Sequence, residues 1–299
     1  MHKPAPLRQG ELIGVVAPAA AVDERRVAEG GRILEQAGFR VRMGASVLDK
    51  AGYLAGTDSA RLADLYTMLR DPDVRAIIAA RGGYGSGRLL PLLDWKVVAA
   101  HPKIFVGHSD LTFLLNHFVE RGGFVTFHGP MVAAFAGDDE ATANLVSMIS
   151  GDRSRWQVAA RHVVQPGMAE GQLVGGNLAS LVAMLGTPYT VNTRGRILFL
   201  EDVNEKPFRI DRMLTQLRQA GALDDVAGVI FSDMVGCTAG EGERVSVLDV
   251  VREAFHDAPY PVAFGLSSGH GVGTVTLPLG VRARLAGERL TLLEAPVAD

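Results

Sequence analysis

Residues able to do covalent chemistry fall in a few short segments of this 299-residue chain. Ser109 lies in Ile104-Phe105-Val106-Gly107-His108-Ser109-Asp110, an apolar run that leads into the helical pattern of Leu111–Glu120. A serine at a strand-to-helix turn stands at the carboxyl edge of a parallel sheet, where open α/β sheets hold their ligands. Its hydroxyl is exposed there and the next N–H faces it. Gly107 fits the first glycine of a G-x-S-x-G elbow, whereas Leu111 occupies the place of the second, so the match is half. Taken alone, the segment is read equally well as a helix N-cap formed by Ser109 or Asp110.

A second segment, Arg81-Gly82-Gly83-Tyr84-Gly85-Ser86-Gly87-Arg88, also leaves an apolar run and enters a helix. Glycine-rich turns of this kind bring backbone N–H groups up to an anion. The pattern is neither G-x-G-x-x-G nor a phosphate loop ending in Lys-Ser/Thr, which disfavours a nucleotide. An oxyanion or carboxylate cradle and a purely structural tight turn both remain open. A serine nucleophile further needs a base and a group that orients the base. Of the eight histidines, His2, His101 and His256 lie at the terminus or beside helix ends, His117 falls within a helix, and His108 projects away from its neighbour Ser109. His128, at a strand end, and His270, in the glycine-rich loop Gly265–Gly271, remain as bases. Glu201 directly follows the apolar strand Ile197–Leu200, where a buried carboxylate is costly unless paired. The alternative for Glu201 and Asp202 is a solvated strand end.

These positions require a particular frame. The first strand is Leu12–Ala17, followed by a helix over Asp23–Ala37 stopped at Gly38, a strand at Phe39–Val41 and a helix over Asp58–Arg70 with Leu62, Leu65 and Leu69 as its apolar stripe. Strands at Ala76–Ala80, Ile104–Val106 and Phe124–Phe127 alternate with a short helix around Leu89 and Leu90, a helix over Asp110–Glu120 and a helix over Glu140–Ile149. Such β-α alternation implies a parallel sheet covered on both faces. Residues 151–167 break the rhythm. The fold expected is α/β, with an N-terminal Rossmann-like parallel-sheet domain over 1–152, a linker over 153–167 and a smaller mixed α/β C-terminal domain over 168–299. In the second half, helices at Asn177–Leu185, Pro207–Ala220 and Ser246–His256 alternate with strands at Arg196–Leu200 and Gly228–Phe231, and the tail from Val262 onward is strand-like.

Composition narrows the function classes. Lys and Arg number 30 against 33 Asp and Glu, a net charge of −3, so the total charge implies no polyanion-binding surface and no nucleic acid partner. Hydrophobic residues at 47% supply a large core. The single Cys237 excludes an intrachain disulfide and a multi-cysteine zinc site and suits a reducing compartment. Lys3 and Arg8 before the run from Leu12 suggest a secretory signal, but Glu11 and Pro18 bracket a run too short for one, and a buried strand is expected. No apolar stretch approaches the ~20 residues that span a bilayer, so no membrane association is expected.

Five segments occur in order: Arg81-Gly82-Gly83-Tyr84-Gly85, Gly107-His108-Ser109-Asp110, Gly175-Gly176-Asn177-Leu178, Leu200-Glu201-Asp202-Val203-Asn204-Glu205, and Gly269-His270 with Thr274–Gly280. Together they resemble the LD-carboxypeptidase family, the muramoyltetrapeptide carboxypeptidases, over nearly the whole chain. The resemblance implies a cytoplasmic serine peptidase, usually a homodimer, that cuts the bond before the terminal D-alanine of a murein tetrapeptide. It implies Ser109 as nucleophile, Glu201 as acid and His270 as base, formed from both halves of the chain, with no metal or organic cofactor. On that assignment the N–H groups of Gly83 and Asp110 are the expected oxyanion donors, and Arg81 and Gly82 the expected neighbours of the substrate carboxylate. Arg81 as a structural partner of Asp110 is the alternative. Two other functions compete: a microcin-C immunity-type hydrolase acting on peptidyl or aminoacyl adenylate analogues, and a non-enzymatic module binding a small anion at the sheet edge. Trp95 and Trp156 lie outside the catalytic segments, which disfavours an aromatic pocket for a base.

Overall fold

A computed structural model describes residues 1–152, 156–240 and 244–298. The chain forms two compact units: Met1–Arg153 with Val272–Gly280 and Ala295–Asp299, and Ser154–Gly271 with Val281–Glu294.

In the first unit, strands β1 (Leu12–Val16), β2 (Arg40–Met43), β3 (Val74–Ala79), β4 (Ile104–Gly107) and β5 (Thr126–His128) are parallel, in the order β5-β4-β3-β1-β2. This is a doubly wound order, in which parallel neighbours are joined by crossover connections through helices. β1 and β4 are buried along their whole length, as strands covered on both faces must be. Helix α1 (Glu24–Gln36) starts where Asp23 accepts from the Arg26 N–H at 3.1 Å and stops at Gly38, whose φ of 92° few other residues adopt. Helix α2 spans Asp58–Arg70, as expected, but its buried face is Arg61, Asp64, Leu65, Met68 and Leu69, with Leu62 only half-buried. Two charged residues therefore face inward, and each must find partners. Helices α3 (Trp95–Ala100), α4 (Thr112–Glu120) and α5 (Asp139–Ile149) complete this part of the chain.

The stretch expected as a linker is not one. Residues 153–155 lie outside the described residues, but Gln157–Ala159 and His162–Gln165 form strands β6 and β7, paired with the second unit's sheet. Period-2 alternation is weak in these short segments, so the sequence hides them. The second sheet continues with β8 (Met168–Asn177), α6 (Leu178–Ala183), β9 (Arg196–Glu201), α7 (Pro207–Gln219), β10 (Gly228–Ser232), α8 (Val247–Ala254) and β11 (Val262–Leu266). β8, β9, β10 and β11 are parallel neighbours at its centre.

After Gly271 the chain belongs to the first unit again, where β12 (Leu277–Leu279) pairs antiparallel with β5. It returns at Val281 for the hairpin β13 (Arg282–Ala286) and β14 (Arg289–Leu292), which joins β8 and β6. The C-terminal domain expected over 168–299 is thus interrupted once, by Val272–Gly280, and gives up its last residues from Ala295 to the other unit. Pairing between strands distant in sequence decides this, and no local pattern encodes it. No helix among the described residues is long and apolar enough to cross a membrane.

Candidate active site

Ser109 follows β4 with φ at 61°, a left-handed conformation that a non-glycine residue adopts only where its surroundings fix it. The turn works because its neighbours are small. A Cβ on Gly107 would stand 2.8 Å from Leu111 Cγ, and one on Gly82 would stand 3.1 Å from Ser109 Cβ and 3.3 Å from its Oγ. Gly107 thus permits the sharp turn into Leu111, and Gly82 leaves room at the serine hydroxyl. Ser109 is half-buried, with Thr112–Glu120 running on from its turn.

The glycine-rich loop after β3 is tied to this turn by Asp110. Its carboxylate accepts from Gly85 N at 3.2 Å and Ser86 N at 2.8 Å, while Ser86 Oγ donates to the Asp110 carbonyl at 2.6 Å. Asp110 is buried, and these bonds satisfy it without a cation. Arg81 is not its partner: the exposed guanidinium donates from Nη1 to the Ala21 carbonyl at 3.0 Å. Neither the Gly83 N–H nor the Asp110 N–H has an acceptor among the described residues. Gly83 adopts φ 99°, and a Cβ there would stand 2.7 Å from Ala20 Cβ.

In the second unit, His270 Nδ1 lies 2.7 Å from Glu201 Oε2. Glu201 is the last residue of β9 and wholly buried, and the His270 side chain is 20% exposed. Gly269 makes the approach possible, because a Cβ there would stand 2.8 Å from Glu201 Oε2. Facing a carboxylate, Nδ1 carries the proton, which leaves Nε2 with a lone pair. Burial opposes charging of the ring, but the hydrogen bond and charge of Glu201, helped by the charge of Asp202, outweigh it and hold the His270 pKa above its ordinary value. An imidazole that keeps some exposure and is backed by a buried carboxylate has the arrangement a general base needs.

Residues 13–129 match the model of the LD-carboxypeptidase N-terminal domain and residues 170–285 that of its C-terminal domain. A probable murein peptide carboxypeptidase of Bacillus subtilis is 37% identical, over 100% of this chain and 96% of its own. The chain belongs to the LD-carboxypeptidase family. It is an enzyme of the carboxypeptidase type. The muramoyltetrapeptide carboxypeptidase of Oxalobacter formigenes superposes with a TM-score of 0.85 at 28% identity, over 96% of this chain and 100% of that one. A structure of the microcin C7 self-immunity protein MccF, known from Escherichia coli, superposes with a TM-score of 0.91 over all of both chains. At 24% identity that likeness shows the fold alone.

Within this LD-carboxypeptidase, Glu201 and His270 come together, and neither Glu201 nor Asp202 is a solvated strand end. Asp202 is buried too and is a different kind of residue. Its carboxylate accepts from Asn177 Nδ2 at 3.1 Å, Ala179 N at 3.0 Å and Val203 N at 2.9 Å, while Asn177 Oδ1 accepts from Ser180 N at 3.0 Å. Asp202 and Asn177 thereby cap α6 and fix the Gly175–Leu178 segment to the end of β9. Burial raises the Asp202 pKa against the pull of these donors. His128 is buried against the His108 ring, 5.8 Å between centroids, and sits in the first unit's sheet. The sequence reading missed Arg61, which is wholly buried beneath the glycine-rich loop. An arginine on the apolar side of a helical stripe, at the i−4 position from Leu65, was the available signal.

Proposed function

We propose that this enzyme hydrolyses the L-D bond that releases the terminal D-alanine of murein tetrapeptides, with Ser109 as nucleophile, His270 as general base and Glu201 as the orienting acid. The observation that carries the reading is the 2.7 Å contact between His270 Nδ1 and Glu201 Oε2, which leaves Nε2 as the basic nitrogen. Nε2 takes the Ser109 proton as Oγ attacks the carbonyl carbon, and the carbonyl π electrons move to oxygen. Glu201 stabilises the imidazolium and holds its tautomer. The N–H groups of Gly83 and Asp110 receive the oxyanion. Collapse of the intermediate breaks the C–N bond, His270 returns the proton to the leaving amine, and D-alanine departs. Water, deprotonated by the same ring, then releases Ser109 from the acyl-enzyme.

An exopeptidase must also recognise the free α-carboxylate. Arg81, exposed and with donors beyond the one given to Ala21, and the N–H groups of the Gly82–Gly85 loop, which packs against Ser109 at Gly82, are the candidates for that contact. The family resemblance supports a cytoplasmic homodimer, and the single cysteine suits that compartment. The deciding measurement is kcat/KM for a tetrapeptide ending in D-alanine, its L-alanine epimer, its C-terminal amide and an aminoacyl sulfamoyl adenosine. The D-terminal acid is expected to be strongly preferred. Amidation strands donors built for an anion, so its penalty exceeds the ~0.5–1.5 kcal/mol of an ordinary neutral hydrogen bond. Equal turnover of acid and amide would remove the exopeptidase reading, and preference for the adenylate analogue would favour an immunity-type hydrolase.

A further inference from the structure

Among the described residues, Arg61 is the largest wholly buried charged side chain that the mechanism above does not use. It projects from α2 with no exposed side-chain surface. Nη1 donates to the carbonyl of Gly85 at 3.0 Å and also to the carbonyl of Pro18, and Nη2 donates to Asp58. Asp58 in turn takes a bidentate pair of bonds from Arg88, at 3.1 Å from Nε to Oδ1 and 2.8 Å from Nη2 to Oδ2. Pro18 lies in the loop after β1, Gly85 in the loop after β3, and Asp110 in the turn after β4, so three adjacent strand ends meet through these groups.

The peptides flanking Gly85 are held from both sides. Its carbonyl accepts from Arg61 and its N–H donates to Asp110, the residue after Ser109. Gly85 has φ 127°, and a Cβ there would stand 2.5 Å from Leu54 and 3.1 Å from Arg61 Nη1, so the loop is packed tightly against the guanidinium. A buried cation shared between two carbonyls and one carboxylate is a poor source of stability, since an apolar side chain of similar volume often does as well or better. What a planar guanidinium supplies is fixed geometry toward several acceptors at once.

We propose that Arg61 is a positioning residue for catalysis: through Gly85 and Asp110 it sets the glycine-rich loop, and with it the Gly83 N–H, against the Ser109 turn. The assignment rests on Ser109 being the nucleophile. Oxyanion donors act only when already placed where charge develops, so a loosened loop loses transition-state stabilisation while substrate binding persists.

The test uses the full chain as wild type, Arg61→Ala and Arg61→Lys. Labelling by a fluorophosphonate, located by mass spectrometry, is read together with kcat and KM for the L,D-tetrapeptide and thermal unfolding. In folded Arg61→Ala, kcat is expected to fall on the order of 10²-fold with KM within about threefold, and millimolar guanidinium, but not urea, to restore at least about tenfold. Arg61→Lys keeps the charge but not the fork, and is expected to lose about tenfold in kcat with little change in unfolding temperature. Wild-type kcat in either folded variant overturns the proposal. So does a deficit that tracks the unfolded fraction and ignores guanidinium. If Arg61→Ala does not fold, Arg61→Lys decides alone. Wild-type enzyme that is turned over but never labelled at Ser109 overturns the nucleophile assignment itself, whatever Arg61 does.

Discussion

Two opposing influences act on the His270 imidazole: burial, which disfavours the cation, and the bond to Glu201 with the charges of Glu201 and Asp202, which favour it and prevail. In the proposed mechanism the neutral ring is the working base. Activity should therefore fall as pH drops through a pKa above the ordinary ~6.5. Glu201→Gln removes the favouring charge and leaves the burial, so the acid limb of kcat/KM is expected to move to lower pH while kcat falls on the order of 10²–10⁴-fold. Paired pH–rate profiles check this, and an unmoved limb would detach Glu201 from His270. Ser109→Ala and His270→Ala are each expected to abolish turnover, with the double variant no worse than either, because in the proposed mechanism the two groups act as one unit. Additive losses in single-turnover assays would count against that unit.

At the scale of elements, the β4-to-α4 turn stores backbone strain at its serine. Ser109 sits at φ 61°, where alanine is strained and glycine is not. Ser109→Gly is accordingly expected to be more stable than Ser109→Ala, by about 1 kcal/mol, although both are inactive. Urea denaturation of the two variants measures the difference, and a less stable glycine variant would show that the turn is unstrained. Gly82→Ala probes the same place from the neighbouring loop. Its Cβ would meet Ser109 Cβ at 3.1 Å and Oγ at 3.3 Å, so the serine side chain, the proposed nucleophile, must shift by a few tenths of an ångström. The expected result is a lower kcat with little loss of stability, read by steady-state kinetics and unfolding temperature.

Considered as a whole molecule, the first unit is not a contiguous stretch of chain. β12 covers the edge of β5, the Gly273 N–H bonds both carboxylate oxygens of Asp138 at 3.1 and 3.0 Å, and the Thr276 N–H bonds Asn144 Oδ1 at 2.6 Å. Asp138 also caps α5 through the Ala141 N–H at 3.0 Å. A fragment ending at residue 152 would leave the β5 edge open and these acceptors unmet, and open edges promote association. Such a fragment is expected to aggregate or to unfold far below the intact enzyme, and a synthetic peptide of residues 272–280 to raise its unfolding temperature. A stable, monomeric 1–152 fragment would show that the returning segment is dispensable.

Much of this enzyme was legible one residue at a time. The first helix and Gly38 after it, Asp58–Arg70 and the apolar strand Ile197–Leu200 are local signals, because capping and burial patterns depend on near neighbours along the chain. The ordered segments around Ser109, Glu201 and His270 were legible as well, through resemblance to the family. From the residues alone, Ser109 as a helix cap and His128 as a base stayed open. Only the tertiary structure seats His128 in the buried sheet beside His108, and brings His270 within 2.7 Å of Glu201 across 69 positions of sequence. It also finds strands β6 and β7 at Gln157–Ala159 and His162–Gln165 where a linker is expected, returns 272–280 to the first unit, and gives Asp110 to Gly85 and Ser86 instead of Arg81. The physical reason is common to all of these. Strand pairing and buried polar contacts join groups far apart in the chain, and their energies depend on which partner arrives, a quantity that no window of sequence contains.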